Sequence, residues 1–166
     1  MIERILPIIV SSGFYVTKFE QDSSFKEYLL SCSRPDQRIR NYVNELLSQF
    51  NITIKNIHLV FEDIDQIGQE HELHTHLVPC DFQVLIWAES SNYDGRYFRY
   101  GTREKLSELR PSFGDICFMK TNDLNFIHGV SPLKSNSFIR TLLISVNHSG
   151  NFGEHLTISA KRLKPI

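Results

Sequence analysis

Apolar positions change period along the chain, dividing it into a helical N-terminal part and a strand-rich remainder. Ile5-Leu6-Pro7-Ile8-Ile9-Val10 and the segment 14–19 flank Ser11-Ser12-Gly13, which predicts two short strands, 4–10 and 14–19, around a turn. Asp22 or Ser23 caps a predicted helix through Cys32, with Phe25, Tyr28 and Leu29 at helical spacing. Pro35 suits the first turn of a second helix to about Phe50. Ile39, Tyr42, Val43, Leu46, Leu47 and Phe50 form one stripe on it, the pattern of a helix packed on a core. Asn51 is a plausible stop.

From Thr53 onward the composition is that of strands, beginning with Ile54-Lys55-Asn56-Ile57-His58-Leu59-Val60-Phe61. Further strands are predicted at 71–78, 82–88, 96–101, 115–120, 126–130, 138–147 and 156–162. Turn-rich pieces such as Ser90-Ser91-Asn92-Tyr93-Asp94-Gly95 separate them. The expected architecture is mostly β: a double-sheet jelly roll with N-terminal helices supporting one sheet. It reads as a single domain over 1–166, with N-terminal strands and support helices in 1–52 and the jelly-roll core in 53–166. No internal repeat or linker interrupts it.

Composition narrows the function classes. At 166 residues, 41% apolar and 22% charged, the chain suits an ordinary globular domain. A net charge of -1 offers no general attraction for nucleic acid or an anionic membrane, so neither is expected as a partner. Apolar runs are too short to span a bilayer, and the N-terminal run lacks the marks of a signal peptide. Cys32, Cys80 and Cys117 are widely spaced and odd in number, giving neither a disulfide framework nor a zinc clasp. Reduced thiols and a cytoplasmic location are the expectation.

The chemistry gathers between Glu72 and Arg140. On a strand, Glu72, His74 and His76 project to one face. A distal His128, between a strand-like run and Gly129, supplies a third imidazole, and three such donors make one face of an octahedron. Residue by residue, a surface histidine pair and an isolated core histidine remain alternatives. Arg140 falls in the apolar run Phe138 to Val146, where a guanidinium requires a carboxylate, from either a small dicarboxylate ligand or a neighbouring Asp or Glu.

Taken together, His74-x-His76, Gly114-Asp115-Ile116-Cys117-Phe118, His128-Gly129-Val130-Ser131-Pro132 and Arg140 resemble the Fe(II)/2-oxoglutarate-dependent oxygenases over about 70 residues. The resemblance implies a double-stranded β-helix of the cupin-like jelly-roll kind. It also implies Fe(II) on His74 and His128, 2-oxoglutarate held by Arg140, and dioxygen as oxidant. The implied reaction is oxidation, most simply hydroxylation, of an unactivated C–H bond, with release of succinate and carbon dioxide. The chain departs from the family in carrying His76 in place of an Asp or Glu, and Leu142 where a hydroxyl residue often assists the arginine. His76 as ligand, Glu72 or Asp81 as the carboxylate, or a vacant halide-binding position each complete the site; His76 is preferred.

Tyr97, Arg99 and Arg103, within a denser aromatic and basic cluster, are the expected substrate contacts for an anionic or aromatic small molecule. Gln83, Leu85 and Trp87 alternate on one strand and are further candidates for the expected pocket, with Trp87 read as core. A second subunit is a candidate source of a lid, so a homodimer is possible in principle. Two other classes compete. A cupin-type three-histidine metal dioxygenase needs neither 2-oxoglutarate nor Arg140, and a jelly-roll binding module needs no chemistry at all.

Overall fold

The computed structural model describes residues 2–93 and 97–148. Helix α1 (Ile2–Ser12) leads into strand β1 (Phe14–Lys18), then α2 (Ser23–Ser31) and α3 (Gln37–Gln49). Eight strands follow: β2 (Ile54–Ile64), β3 (His71–His74), β4 (Phe82–Glu89), β5 (Phe98–Thr102), β6 (Leu106–Leu109), β7 (Asp115–Lys120), β8 (Phe126–Val130) and β9 (Ile139–His148).

These strands form two antiparallel sheets. The major sheet has the order β1-β7-β4-β9-β2 and the minor sheet β3-β8-β5-β6. From β2 to β9 the chain passes back and forth between them, closing a jelly roll of the double-stranded β-helix kind. The expected fold class is the one observed, with the helices packed on the major sheet.

Alternation along the strands produces two cores. On β9, Leu142, Ile144 and Val146 join Ile39, Val43 and Leu47 of α3 in the core between helices and major sheet. Ile139 and Leu143 of the same strand join Leu85, Trp87 and Phe98 between the two sheets. A strand buried on both faces reads as a continuous apolar run, as β4 does throughout Phe82 to Ala88. The helix starts are as the sequence predicts: Asp22 accepts from the Ser24 and Phe25 amides, and Asp36 caps α3 through the Ile39 amide. Asn51 follows α3 in the left-handed conformation, φ 57°.

Three expectations need correction. Residues 4–10 are helical, not a strand. Their β-branched residues and Pro7 favour extension locally, but Ile5 and Ile9, one turn apart, both bury in the helix-side core and decide the outcome. The strand expected over 71–78 stops at His74. Strand β6 was not expected; it is a short, mostly exposed edge strand with a charged residue, and carries little apolar signal. The strand expected at 156–162 lies outside the described residues. The three cysteines are free, and no described helix is long and apolar enough to cross a membrane.

Candidate metal centre

His74 ends β3 and pairs directly with His128 on β8, which in turn pairs with Tyr100 on β5. Two histidines opposite one another on neighbouring strands bring their rings together without any loop to hold them. Their ring centroids lie 4.5 Å apart. Gly129 permits this close approach of β3 to β8: a Cβ there would stand 2.7 Å from the His71 carbonyl oxygen and 3.0 Å from that of Glu72.

His76 reaches the same place by a different route. It lies beyond the end of β3, so strand alternation does not place it. Asn122, itself left-handed at φ 59°, donates its amide to the His76 carbonyl at 2.9 Å. Its side chain exchanges hydrogen bonds with the Val78 amide and carbonyl at 2.9 and 2.7 Å. Thr75 Oγ1 donates to the Phe126 carbonyl at 2.6 Å. The segment after β3 is therefore held to the β7–β8 connection, and the His76 ring turns back toward His74 and His128.

The donor atoms of the three imidazoles lie within 4.8 Å of one another. His74 Nδ1 sits 2.7 Å from the Glu72 carbonyl oxygen, and His76 Nδ1 is hydrogen-bonded to Gln83 Oε1. Both acceptors are carbonyl oxygens, so each Nδ1 carries the proton and donates. Both Nε2 atoms then present lone pairs, and they face one another at 2.9 Å. Two lone pairs at that distance repel unless a cation lies between or beside them. Burial, the largest influence, pushes the His76 imidazole below its ordinary pKa, opposed chiefly by the Gln83 hydrogen bond and also by Glu62.

A metal ion fits. Bonds of ~2.1 Å at right angles place neighbouring nitrogens ~3.0 Å apart, close to the separation seen here. His128 is 8% exposed, with Phe14 and Phe98 packed beside it, and burial lowers its pKa to about 2, helped by the neighbouring histidines. Three imidazoles, two of them oriented by outer hydrogen bonds, make a donor set for a divalent transition metal. Neither Glu72 nor Asp81 belongs to the cluster.

The cavity beside the histidines lies between the two sheets and opens to solvent. Its walls include Leu85, Trp87, Phe98, Ile139, Thr141 and Glu62. Leu85 thus faces it as the alternation predicts, Trp87 is both inter-sheet core, as read, and cavity wall, and Gln83 acts on His76.

Arg140 does not line this cavity. Its neighbours Ile139 and Thr141 do, and alternation sends Arg140 to the helix side of the major sheet. There it donates from Nε and Nη2 to Asp63 Oδ1 and Oδ2, both at 2.7 Å, and from Nη1 to the carbonyls of Leu29, at 2.7 Å, and Cys32. Its guanidinium carbon also lies 4.2 Å from the centre of the Phe61 ring. The carboxylate that the sequence demanded is Asp63, so the assignment of Arg140 as co-substrate anchor is corrected. No Lys or Arg lines the cavity among the described residues, and the donors present do not fit 2-oxoglutarate's distal carboxylate.

The expected substrate contacts also lie elsewhere. Phe98 and Tyr100 pack between the sheets, so Tyr97 and Arg99 alternate to the outer side of the minor sheet. Tyr97 is 43% exposed and Arg103 sits in the exposed turn before β6, while Arg99 pairs in register with Glu108. Arg96 lies outside the described residues. Sequence reasoning missed Asn122 and Glu62 altogether. Asn122 carried a faint signal as a turn residue; Glu62 sits at the end of an apolar strand and carried none.

No protein-family model matches the sequence, and no curated protein does. Solved structures do resemble it. A prolyl-4-hydroxylase of Pseudomonas putida superposes with a TM-score of 0.67 at 11% identity, over 90% of this chain and 96% of that one. A prolyl hydroxylase from Trichoplax adhaerens, in complex with a hypoxia inducible factor peptide fragment, gives 0.67 at 12% identity, over 95% and 92%. A prolyl 4-hydroxylase from Phytophthora capsici gives 0.60 at 13%, over 90% of this chain and 63% of its own. At these identities the likeness is one of architecture, and this chain has the fold of the prolyl hydroxylases.

Proposed function

We propose that this protein is an iron-dependent oxygenase that binds its metal through His74, His76 and His128 and oxidises a small organic molecule without 2-oxoglutarate. The observation that carries the reading is the pair of Nε2 lone pairs turned on one another beside a third buried imidazole. Bound iron would supply the one-electron chemistry with dioxygen that no side chain possesses. The rest falls to the chain. Glu72's carbonyl and Gln83 hold the two imidazole tautomers, and Ser145 fixes the Gln83 amide by accepting from its Nε2 at 3.0 Å. Phe14 and Phe98 exclude water from His128, and Trp87, Leu85 and Ile139 offer an apolar wall for the substrate.

The absence of a basic group on the described cavity wall supports a reaction without 2-oxoglutarate. Dioxygen is then consumed by the substrate itself, as in a dioxygenase of the three-histidine cupin type. A 2-oxoglutarate-dependent hydroxylase is the second reading, favoured by the shared fold with prolyl-4-hydroxylases. Anaerobic protein loaded with Fe(II) separates the two. The first reading expects no violet charge-transfer band on addition of 2-oxoglutarate, and oxygen uptake in a substrate screen that does not require it. A band, with succinate release, transfers the assignment to the second. Failure to bind one equivalent of Fe(II) sinks both.

A further inference from the structure

Glu62 projects from β2 into the cavity between the sheets. Its partner across the β2–β9 pair is Thr141, and Thr141 pairs in turn with Trp87 on β4. Glu62, Thr141 and Trp87 therefore form one cross-strand row, and all three line the cavity that holds the histidines. Trp87 packs on Phe98 of the opposite sheet, ring centres 5.3 Å apart, so the row ends against an aromatic wall. Glu62 is half-buried, yet it has no hydrogen bond and no ion pair among the described residues. It also stands outside the cluster of metal-ligand atoms.

A carboxylate drawn partly out of water without a hydrogen bond or ion pair is unfavourable, and a cation in the cavity would relieve it. No Lys or Arg among the described residues faces it to repel such a cation, and in metal-free protein the carboxylate is the charged group on that wall. Aromatic and aliphatic side chains beside a single anionic group are the chemistry that recognises an organic ammonium: the charge goes to the carboxylate and the apolar body to the rings.

We propose that Glu62, with Thr141 beside it, is a subsite for the ammonium group of a small apolar amine, whose body lies against Trp87 and Phe98. This inference rests on the oxygenase reading for its consequence, since it names the substrate class of that centre. Of the anionic or aromatic ligand expected from the arginine-rich stretch, it keeps the aromatic kind and not the anionic one, since Arg99 and Arg103 are not among the cavity's lining residues.

The test uses benzylamine, benzyl alcohol and benzoate, three probes of similar shape and different charge, titrated calorimetrically into metal-free and Fe(II)-loaded protein under nitrogen. Benzylammonium is expected to bind at least ~10-fold tighter than benzyl alcohol, as a charge-assisted hydrogen bond requires, with benzoate weakest. Glu62→Gln, which keeps the shape, should abolish the preference, and Glu62→Lys should turn it toward benzoate. Equal binding of the three probes, no binding of any, or an unchanged preference in Glu62→Gln overturns the subsite. Oxygen uptake by the iron-loaded protein reads the oxygenase assignment separately. An amine preference in metal-free protein without oxygen uptake upholds the subsite while the oxygenase fails.

Discussion

Arg140 and Asp63 face each other across the β2–β9 pair and close a two-pronged ion pair, with both contacts at 2.7 Å. The same guanidinium serves two carbonyls at the end of α2. It thereby ties helix, sheet and strand edge together on the face away from the histidines. Replacing Arg140 with Met would leave those buried carbonyls without a donor, while half-exposed Asp63 could turn to water. A loss of roughly 2–4 kcal/mol in urea unfolding is expected, with metal affinity unchanged. Normal stability combined with loss of a co-substrate would return the arginine to the active site.

Gln83 should behave differently from Arg140, because it hydrogen-bonds His76, a ligand of the proposed metal centre. Gln83→Leu keeps the apolar volume but releases the Nδ1 proton and the ring orientation. Metal affinity should fall by about 10- to 100-fold, the usual cost of losing an outer partner of a ligating histidine. Titration against a competing chelator measures it. An unchanged affinity would mean that His76 does not ligate.

Gly129→Ala tests how the two strands bring His74 to His128. The added methyl would meet β3 backbone, which has no flexible side chain to move aside. The substitution should push β3 outward, lower the melting temperature and weaken metal binding together. Full metal affinity in this variant would show that the β3–β8 spacing does not set the site.

The histidines also predict how the metal-free protein responds to acid. Burial lowers the pKa of both His76 and His128 in the folded state, the latter to about 2. The unfolded chain, with histidines near ~6.5, binds these protons first as pH falls. Stability contributed by keeping them neutral is present above about pH 6.5 and is lost progressively below it. Thermal melts of metal-free protein between pH 7.5 and 5 should show that decline, and His128→Asn should make it shallower. A flat profile in the unsubstituted protein would contradict the burial of these imidazoles.

Much of this architecture is legible in the sequence, for identifiable reasons. Strands β7 and β8 are bounded by turn residues and begin and end where composition changes. The α3 stripe has one reading. His74 and His128 were recognisable from the HxH spacing, the run before Gly129 and the family pattern, whereas the pairing of their strands appears only in the fold. His76 was nominated by an alternation that stops at His74; the ring arrives through Asn122, a contact forty-six residues away in sequence. Arg140 shows the opposite failure. The need for a carboxylate was correctly read, but face is decided by strand parity, and a run apolar on both sides hides its parity. Ile5 and Ile9 hid a helix for a similar reason, since only the assembled core reveals which period they serve.

The account rests on three imidazoles converging on one ion, and X-ray absorption of the iron-loaded protein addresses that most directly. Samples of unsubstituted protein, His76→Ala and Arg140→Met, each loaded anaerobically with Fe(II) and measured with and without 2-oxoglutarate, would suffice. The expected spectrum shows three imidazole rings around a single iron, reduced to two in His76→Ala and unaltered in Arg140→Met or by 2-oxoglutarate. A shell with fewer than three imidazoles in the unsubstituted protein, or one reorganised by 2-oxoglutarate in an Arg140-dependent way, would contradict it.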